Sequence, residues 1–324
     1  MRDRLRISPE LYATVTLVAL GALSLIVLTG AGVRLTGSGL GCPDWPKCYG
    51  GTVPPLDTHA VIEYGNRVLT GFVGFAVIAA SVLAWFRRPF RWHLAFFGAL
   101  LPVGVVCQAI LGALVVKHHL APGLVMGHFI LSMLLLDAAF ALAWCSRYEP
   151  GERRASTDRL GVWAVRALIP LGQLTIVAGT IATGSGPHAG AHEGELVHRF
   201  DFEGTGTLEW MVQRHSAIAA AFGIAAVAVW LLLRRPGGDG RALRPLTAVI
   251  ALLALQGAVG GIQWTLELPG ELVWLHVALA TLTWLTMLWT VATAGRLEPR
   301  GATGPLTAEP GSGDEHRTPA LTQS

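Results

Sequence analysis

The feature that most constrains this chain is a series of eight apolar windows, each long enough to cross a bilayer. A transmembrane helix needs about 20 mostly apolar residues. Such windows fall at 11–33, 58–86, 92–116, 121–146, 162–184, 209–233, 244–266 and 271–295. Only 14% of the 324 residues are charged, against about 25% in soluble proteins. The sequence therefore predicts an all-α integral membrane protein and excludes a soluble enzyme or a nucleic-acid-binding protein.

The distribution of positive charge predicts how the eight helices are oriented. Most of the 24 lysines and arginines lie before the first window, in the loops after the second, fourth and sixth windows, and in the C-terminal tail. Loops rich in Lys and Arg stay in the cytoplasm. We therefore expect a cell-membrane protein with both termini cytoplasmic. Residues 1–10 are the predicted N-terminus, 147–161 a cytoplasmic linker, and 296–324 a disordered cytoplasmic tail.

The two halves of the chain resemble each other. Three matches recur at offsets of 147 or 148 residues: TGSG at 36–39 and 183–186, QAILG at 108–112 and QGAVG at 256–260, and His128 and His276. An offset that spans four helices preserves their orientation in the membrane, so the repeat is parallel. The sequence predicts two tandem, pseudo-symmetric four-helix bundles, at 11–146 and 162–295.

Polar side chains recur at one depth in the even-numbered windows, where they are costly. They are Glu63, Asn66 and Arg67, then His128, then Arg214 and His215, and finally His276. Each lies about five to ten residues into its helix from the same side of the membrane, roughly 8–14 Å deep. A single buried histidine is usually structural, but a repeat-related set at one depth favours a functional site.

His215 and His276 lie on two helices of one bundle and could ligate one metal from opposite sides. Neutral imidazole suits iron, copper and zinc. Two histidines without cysteine or carboxylate fit a bis-His haem better than zinc, which takes three or four protein ligands. Cofactor sites of this kind are built in four-helix bundle cores. Zinc and a plain hydrogen-bonded histidine pair remain as alternatives.

The N-terminal half differs from its repeat, because Asn66 takes the place of His215. Glu63 could accept a proton or stabilise positive charge, or could simply pair with Arg67 one turn further on. His59 could supply an imidazole that Asn66 does not. This asymmetry suggests a fixed cofactor in one half and a substrate in the other.

The loops on the predicted extracytoplasmic side carry cysteines and histidines. Cys42 and Cys48 could form a disulfide there, either as a structural staple or as a redox-active pair. The third of these loops carries three histidines that could bind a metal transiently or could simply be solvated. They are His188, His192 and His198.

The quoted residues resemble those of the haem A synthase family, in its bacterial, actinobacterial-like form. The similarity covers all eight windows. It is carried by the segments GAGVRLTGSGLGCPDWPKC, IEYGNRVLTG, GHFILSM, TGSGPHAG, QRHS and WLHVALA. The resemblance implies an oxidoreductase that converts the C8 methyl of haem O to a formyl group, through an alcohol, to make haem A for cytochrome oxidase.

The resemblance also implies roles for individual residues. His215 and His276 would ligate a permanent haem b, while His128 and Glu63 would bind haem O and act in catalysis. Much of the family carries a histidine at the position of Asn66. Our hypothesis is therefore that His128 is the single strong ligand of the substrate iron, with Asn66 and Arg67 beside it. Cys42 and Cys48 would form a disulfide that assists haem transfer or reduction.

The expected partners follow from this reading. They are haem O, an upstream haem O synthase, an electron donor that the sequence does not identify, and the lipid bilayer, with a homo-oligomer also open. Two rival functions remain: a bis-His haem b electron carrier or thiol–disulfide reductase, and a haem transporter. The asymmetry between the halves argues against a symmetric carrier.

Overall fold

The computed structural model describes residues 6–192 and 197–296, which contain eight long α-helices. They are α1 (Pro9–Leu35), α2 (Thr58–Phe86), α3 (Trp92–Lys117), α4 (Pro122–Arg147), α5 (Arg159–Ser185), α6 (Thr207–Leu233), α7 (Leu243–Thr265) and α8 (Gly270–Ala294). Each is long and apolar enough to cross a membrane. Each predicted apolar window begins and ends within three residues of the corresponding helix. An all-α, multi-pass membrane protein is thus confirmed, while most of the predicted C-terminal tail (297–324) and residues 1–5 lie outside the described residues.

Local capping explains where several helices begin. The Ser8 hydroxyl accepts a hydrogen bond from Leu11 N at 3.2 Å, and Pro9 follows it as the first helical residue. Asp57 and Asp158 cap α2 and α5 in the same way. These side chains satisfy backbone N–H groups that have no partner in the first turn of a helix. These polar caps therefore place the starts of α1, α2 and α5 at the edges of their apolar windows.

The helices pack as two groups of four. In the first half α1 contacts α2 and α4, and α3 contacts α2 and α4; in the second half α5 contacts α6 and α8, and α7 contacts α6 and α8. Three further contacts, α1–α8, α4–α5 and α4–α8, join the groups. This packing agrees with the tandem bundles that the internal repeat predicts. The loops after α1, α3, α5 and α7 share one end of the bundles, which we call the histidine end.

Apolar side chains on the outside of the bundles face away from the core. On α3, Val103, Val106 and Ile110 are each more than half exposed. Lipid tails solvate such side chains, so their exposure costs little in a bilayer. The side chains buried between helices are often small, such as Ala19, Ala80 and Ala139, and allow close helix approach.

Two tryptophans link the bundles through polar contacts that the repeat does not predict. Trp284 of α8, only 3% exposed, donates its indole N–H to Asp137 Oδ1 of α4 at 2.6 Å. Trp274 donates to the backbone oxygen of Leu28 at 2.9 Å. Arg166 instead donates to the oxygen of Gly295. Among the described residues, Asp137 and Arg166 therefore form no ion pair with each other.

A charged cluster joins two connections, α4–α5 and α6–α7, at the end opposite the histidine end. Arg241 Nε donates to both carboxylate oxygens of Asp239 at 2.9 Å, and the Ser156 hydroxyl donates to Asp239 Oδ2 at 2.7 Å. Asp158 in turn accepts from Asp239 N at 3.0 Å and from Arg235 Nη2 at 2.5 Å. The side-chain hydrogen bond from Arg241 is the main reason that the pKa of Asp239 falls to about 2.

We expect this cluster to make stability depend on pH in the acid range. A carboxylate whose pKa is lower in the folded than in the unfolded state stabilises the fold above its unfolded pKa. That contribution is retained at neutral pH and lost as the pH falls from about 4 to about 2. Thermal unfolding in detergent at pH 7 and pH 3 measures it. The Asp239→Asn variant should lose less stability between the two pH values than the unchanged protein, and an equal loss would contradict the assignment.

Candidate functional site

The two histidines of the C-terminal half lie side by side near the histidine end. His215 is in the third turn of α6 and His276 in the second turn of α8. Their ring centroids are 6.3 Å apart, and the ring planes are inclined at 73°. The structure therefore brings together the two residues that the sequence predicts as a pair.

Backbone groups and glycines hold these rings. His215 Nδ1 lies 3.1 Å from the backbone oxygen of Thr175, which can only accept, so Nδ1 carries the proton. The other nitrogen, Nε2, is then unprotonated and free to bind a metal. A Cβ on Gly179 would lie 3.0 Å from His215 Cε1, and one on Gly260 would lie 3.4 Å from His276 Cε1. Glycine at these positions makes room for the imidazoles.

The spacing of the two rings suits a metal bound between them. When two imidazoles bind one metal from opposite sides, each metal–nitrogen bond is about 2 Å long. Adding the distance from each nitrogen to the centre of its ring places the two ring centroids about 6 Å apart. The observed 6.3 Å fits this arrangement. No group of three or more His, Cys, Asp or Glu side chains in the described residues could hold a metal ion. Zinc needs more protein ligands than this pair supplies.

His128 is the corresponding histidine of the N-terminal half, and no other ring of the described residues pairs with it. Its Nδ1 is buried and has no hydrogen bond among the described residues. Gln108 Nε2 donates to the His128 backbone oxygen at 3.0 Å and to the Ser132 hydroxyl at 2.6 Å. A Cβ on Gly112 would lie 3.6 Å from His128 Cε1, which matches the position of Gly260 against His276. The His128 ring therefore packs against a glycine as the His276 ring does, but its Nδ1 makes no hydrogen bond among the described residues.

Asn66 is turned towards α1. Its side-chain oxygen accepts a hydrogen bond from the Thr29 hydroxyl at 2.8 Å. His215 makes the comparable contact in the second half, to the backbone of Thr175 on α5. The amide and the imidazole thus occupy related places, as the sequence comparison predicts, but an amide is a far weaker metal ligand than an imidazole.

Glu63 is the centre of a buried charged network. It is 6% exposed, and one carboxylate oxygen accepts from Cys42 N at 2.7 Å while the other pairs with Arg67. Arg67 also donates to the backbone oxygens of Asp44 and Lys47, each at 2.8 Å. Both partners of the Glu63 carboxylate, Cys42 N and Arg67, donate to it. The Glu63–Arg67 ion pair, which the sequence offered as the alternative to a catalytic Glu63, is present, and it also fastens the first loop to α2.

The first loop is closed by a disulfide between Cys42 and Cys48, whose Cα atoms are 4.7 Å apart. Both cysteines are completely buried. At Gly41, a Cβ would lie 2.3 Å from the backbone oxygen of His59, so only glycine lets the loop approach the start of α2 this closely. Burial of both cysteines favours a structural role for the disulfide over thiol–disulfide exchange with another protein.

The loop histidines lie in contacts between loops. The His59 ring lies 2.9 Å from the Ser38 hydroxyl through Nδ1, and its centroid is 4.4 Å from that of His192. His188 Nε2 lies 2.7 Å from the backbone oxygen of Leu268. These contacts tie the third loop to both halves. His59 therefore has partners at the histidine end that the sequence did not predict.

The end of α1 contacts the end of α5 and the loop after it, which the sequence did not predict. Gly39 N donates to the oxygen of Gly190 at 2.7 Å, and Arg34 Nη2 donates to the oxygens of Thr183 and His188 at 2.9 and 2.6 Å. The sequence feature that could have predicted these contacts is Arg34, a charged residue in the last turn of the apolar helix α1. Arg214, which was counted with the polar set, is exposed and lies over the Trp210 ring at 3.4 Å.

Comparison with known proteins gives one matching family and several relatives. The COX15-CtaA family, described as cytochrome oxidase assembly proteins, matches residues 13–61 and 57–193. A haem A synthase from Alkalihalophilus pseudofirmus is 29% identical over 162 residues, which are 49% of this chain and 52% of that protein. One from Bacillus pumilus is 34% identical over 122 residues, 37% of this chain and 39% of that protein.

A protoheme IX farnesyltransferase from Halobacterium salinarum is also similar. It is 31% identical over 147 residues, which are 44% of this chain and 31% of that protein. This chain thus spans about half, or less, of the length of the curated relatives that it matches.

Proposed function

Because the chain belongs to the COX15-CtaA family of cytochrome oxidase assembly proteins, we propose that it oxidises haem O to haem A. The reaction converts the C8 methyl group first to an alcohol and then to an aldehyde, in two steps of two electrons each. The haem A synthases among its relatives support this substrate. The reaction makes the chain an oxidoreductase, and its electron partner stays unassigned.

The observation that carries the proposal is the asymmetry between the two repeats. The second half has two histidines spaced as opposed ligands of one metal, with ring centroids 6.3 Å apart. The first half has His128 alone, because Asn66 is bound to Thr29. An oxygenating haem needs an open coordination position. One half therefore suits a resident haem b and the other a haem that reacts and leaves.

Each side chain has a defined part in this proposal. His215 and His276 hold haem b, which supplies electron transfer when bound. His128 binds the iron of haem O near the histidine end, beside Asn66 and Arg67. Glu63 accepts a proton released as the methyl group is oxidised, and Arg67 holds the Glu63 carboxylate in place. Burial of this pair excludes bulk water and strengthens its electrostatic effect.

We further propose that the protein lies in the cell membrane with both termini in the cytoplasm. The excess of Arg in the N-terminus and in the loops after α2, α4 and α6 supports this orientation. The histidine end would then face the oxidising side, where disulfides persist. The similarity to a protoheme IX farnesyltransferase suggests that such an enzyme supplies haem O.

Extraction of pigment from the purified protein tests the proposal. We expect mass spectrometry to find haem B together with haem O, its alcohol or haem A. Haem B alone, with no conversion of added haem O, would favour an electron carrier or thiol reductase and contradict the proposal. Movement of unaltered haem across vesicles without oxidation would favour a transporter.

We expect the disulfide to stabilise the site without exchanging electrons. The Cys42→Ser/Cys48→Ser double variant should lose about 2–3 kcal/mol of unfolding free energy and keep part of its activity, because the Glu63–Arg67 pair still anchors the loop. Thermal unfolding and conversion of haem O measure the two effects. The exposed Cys107 offers a matched control as Cys107→Ser. Complete loss of activity with unchanged stability would instead indicate a redox role.

A further inference from the structure

Two glutamines at equivalent positions of the repeat contact the two equivalent histidines. Gln108 of α3 donates to the backbone oxygen of His128 at 3.0 Å. Gln256 of α7, with its amide oriented so that both ends are satisfied, donates to the backbone oxygen of His276 at 3.2 Å. In each helix a glycine four residues later lies against the ring of the same histidine. In both halves, therefore, a histidine packs against the glutamine and the glycine of a Gln-x-x-x-Gly segment, on α3 in the first half and on α7 in the second.

The two glutamines differ in what they do with the imidazole. Gln256 also donates to His276 Nδ1 at 2.9 Å and accepts from Ala280 N at 2.7 Å. Gln108 makes no ring contact: its second bond goes to the Ser132 hydroxyl at 2.6 Å. His128 Nδ1 and Gln108 Oε1 are both buried without a hydrogen bond among the described residues.

The two halves also differ in the residue one helical turn after each histidine. Ser132 follows His128 by four residues, and Ala280 follows His276 by four. The Ser132 hydroxyl accepts from Gln108 and donates to the His128 backbone oxygen at 2.9 Å. Alanine has no such group, so Gln256 is left free to reach the ring. One hydroxyl thus decides where the glutamine amide points.

We propose that Ser132 and Ala280 set how firmly each half holds its haem, acting through Gln108 and Gln256 as positioning residues. A partner on the second ring nitrogen orients a metal-binding histidine and raises its basicity, and its loss costs about 10- to 100-fold in metal affinity. With haem on Nε2 the proton would lie on Nδ1, so Gln256, whose amide has both a donor and an acceptor, would then turn its oxygen towards Nδ1. His276 is then a ligand for a retained haem, and His128 one for a haem that must leave.

This inference rests on the proposed function, which assigns haem b to His276 and haem O to His128. Its test exchanges the two small residues between the halves. Ser132→Ala frees Gln108 to reach the His128 ring, and Ala280→Ser draws Gln256 away from the His276 ring. Haem b and added haem O are measured separately by their transfer from the full-length protein to excess apomyoglobin.

We expect opposite effects in the two halves. Ser132→Ala should slow the release of haem O, and Ala280→Ser should speed the release of haem b, each by about 10-fold or more. The Ala280→Ser variant should also show a shifted reduction potential of haem b. General loosening of the fold would speed release in both variants, so the opposite signs separate positioning from structural damage.

Double variants provide the matched controls. Adding Gln108→Ala to Ser132→Ala should abolish the slower release, and adding Gln256→Ala to Ala280→Ser should cause little further change. If the unchanged protein holds both haems but neither exchange alters release, the inference is wrong and the proposed function stands. If the unchanged protein holds no haem, the proposed function fails and the inference fails with it.

Discussion

Replacing Glu63 by Gln is expected to lower the conversion of haem O to haem A by a factor of about 100 to 10,000, the range for loss of a general base. Glutamine has nearly the same shape and can still accept the hydrogen bond that Cys42 N donates at 2.7 Å. It cannot accept a proton and leaves Arg67 without its ionic partner. The haem b content should stay near that of the unchanged protein, because His215 and His276 lie in the other half.

A double variant separates catalysis from charge neutralisation. If Glu63 only neutralises a buried Arg67, then Glu63→Gln combined with Arg67→Gln removes both charges and should restore activity. If Glu63 takes a proton from the substrate, the double variant stays inactive. Glu209→Gln, at an exposed position in the first turn of α6, is the matched control and should be fully active. A Glu63→Gln protein that makes haem A at the normal rate would exclude the catalytic role.

The second large effect is expected at the histidine pair. His276→Ala and His215→Ala should each reduce bound haem b by more than the roughly 10- to 100-fold that loss of an outer-shell partner costs, because a direct ligand is removed. Visible absorption and pigment extraction measure the content. His128→Ala should keep haem b and lose conversion, since that residue lies in the other bundle.

His118→Ala is a suitable control for these histidine variants. His118 is exposed at the C-terminal end of α3, so its replacement should leave both haem content and activity unchanged. Retention of a normal haem b spectrum by both His215→Ala and His276→Ala would show that the ligands lie elsewhere. Loss of haem b in His128→Ala would show that the two sites are not independent.

Several site residues were predictable because the repeat marks them. His128 and His276 share one offset with Gln108 and Gln256, so a functional relation between the halves could be inferred without coordinates. The helix bounds were predictable too, since apolar length is a strong signal in a membrane protein. The role of Ser132 was not predictable, because it depends on which of two acceptors a neighbouring amide reaches.

Contacts between the two halves of the chain could not be predicted from sequence patterns either. Arg34 binds the backbone of Thr183 and His188, and Trp284 binds Asp137 across the two bundles. Such contacts join residues about 150 positions apart and have no counterpart in the other half. An internal repeat predicts the features that both halves have in common. The contacts between the halves are made by residues that differ between them, so the repeat does not predict these contacts.

Apolar length, charge distribution and the internal repeat were therefore sufficient to predict eight spans, two groups of four helices and the depth of the polar residues, because the cost of burying polar groups in lipid acts on each helix separately. The folded arrangement was needed to show that the His215 and His276 rings lie 6.3 Å apart and that Gln256 reaches a ring while Gln108 does not. Those features depend on packing between helices at the scale of an ångström. The Ser132 hydroxyl, for example, takes a hydrogen bond from Gln108, and the glycines beside the histidine rings leave room for them.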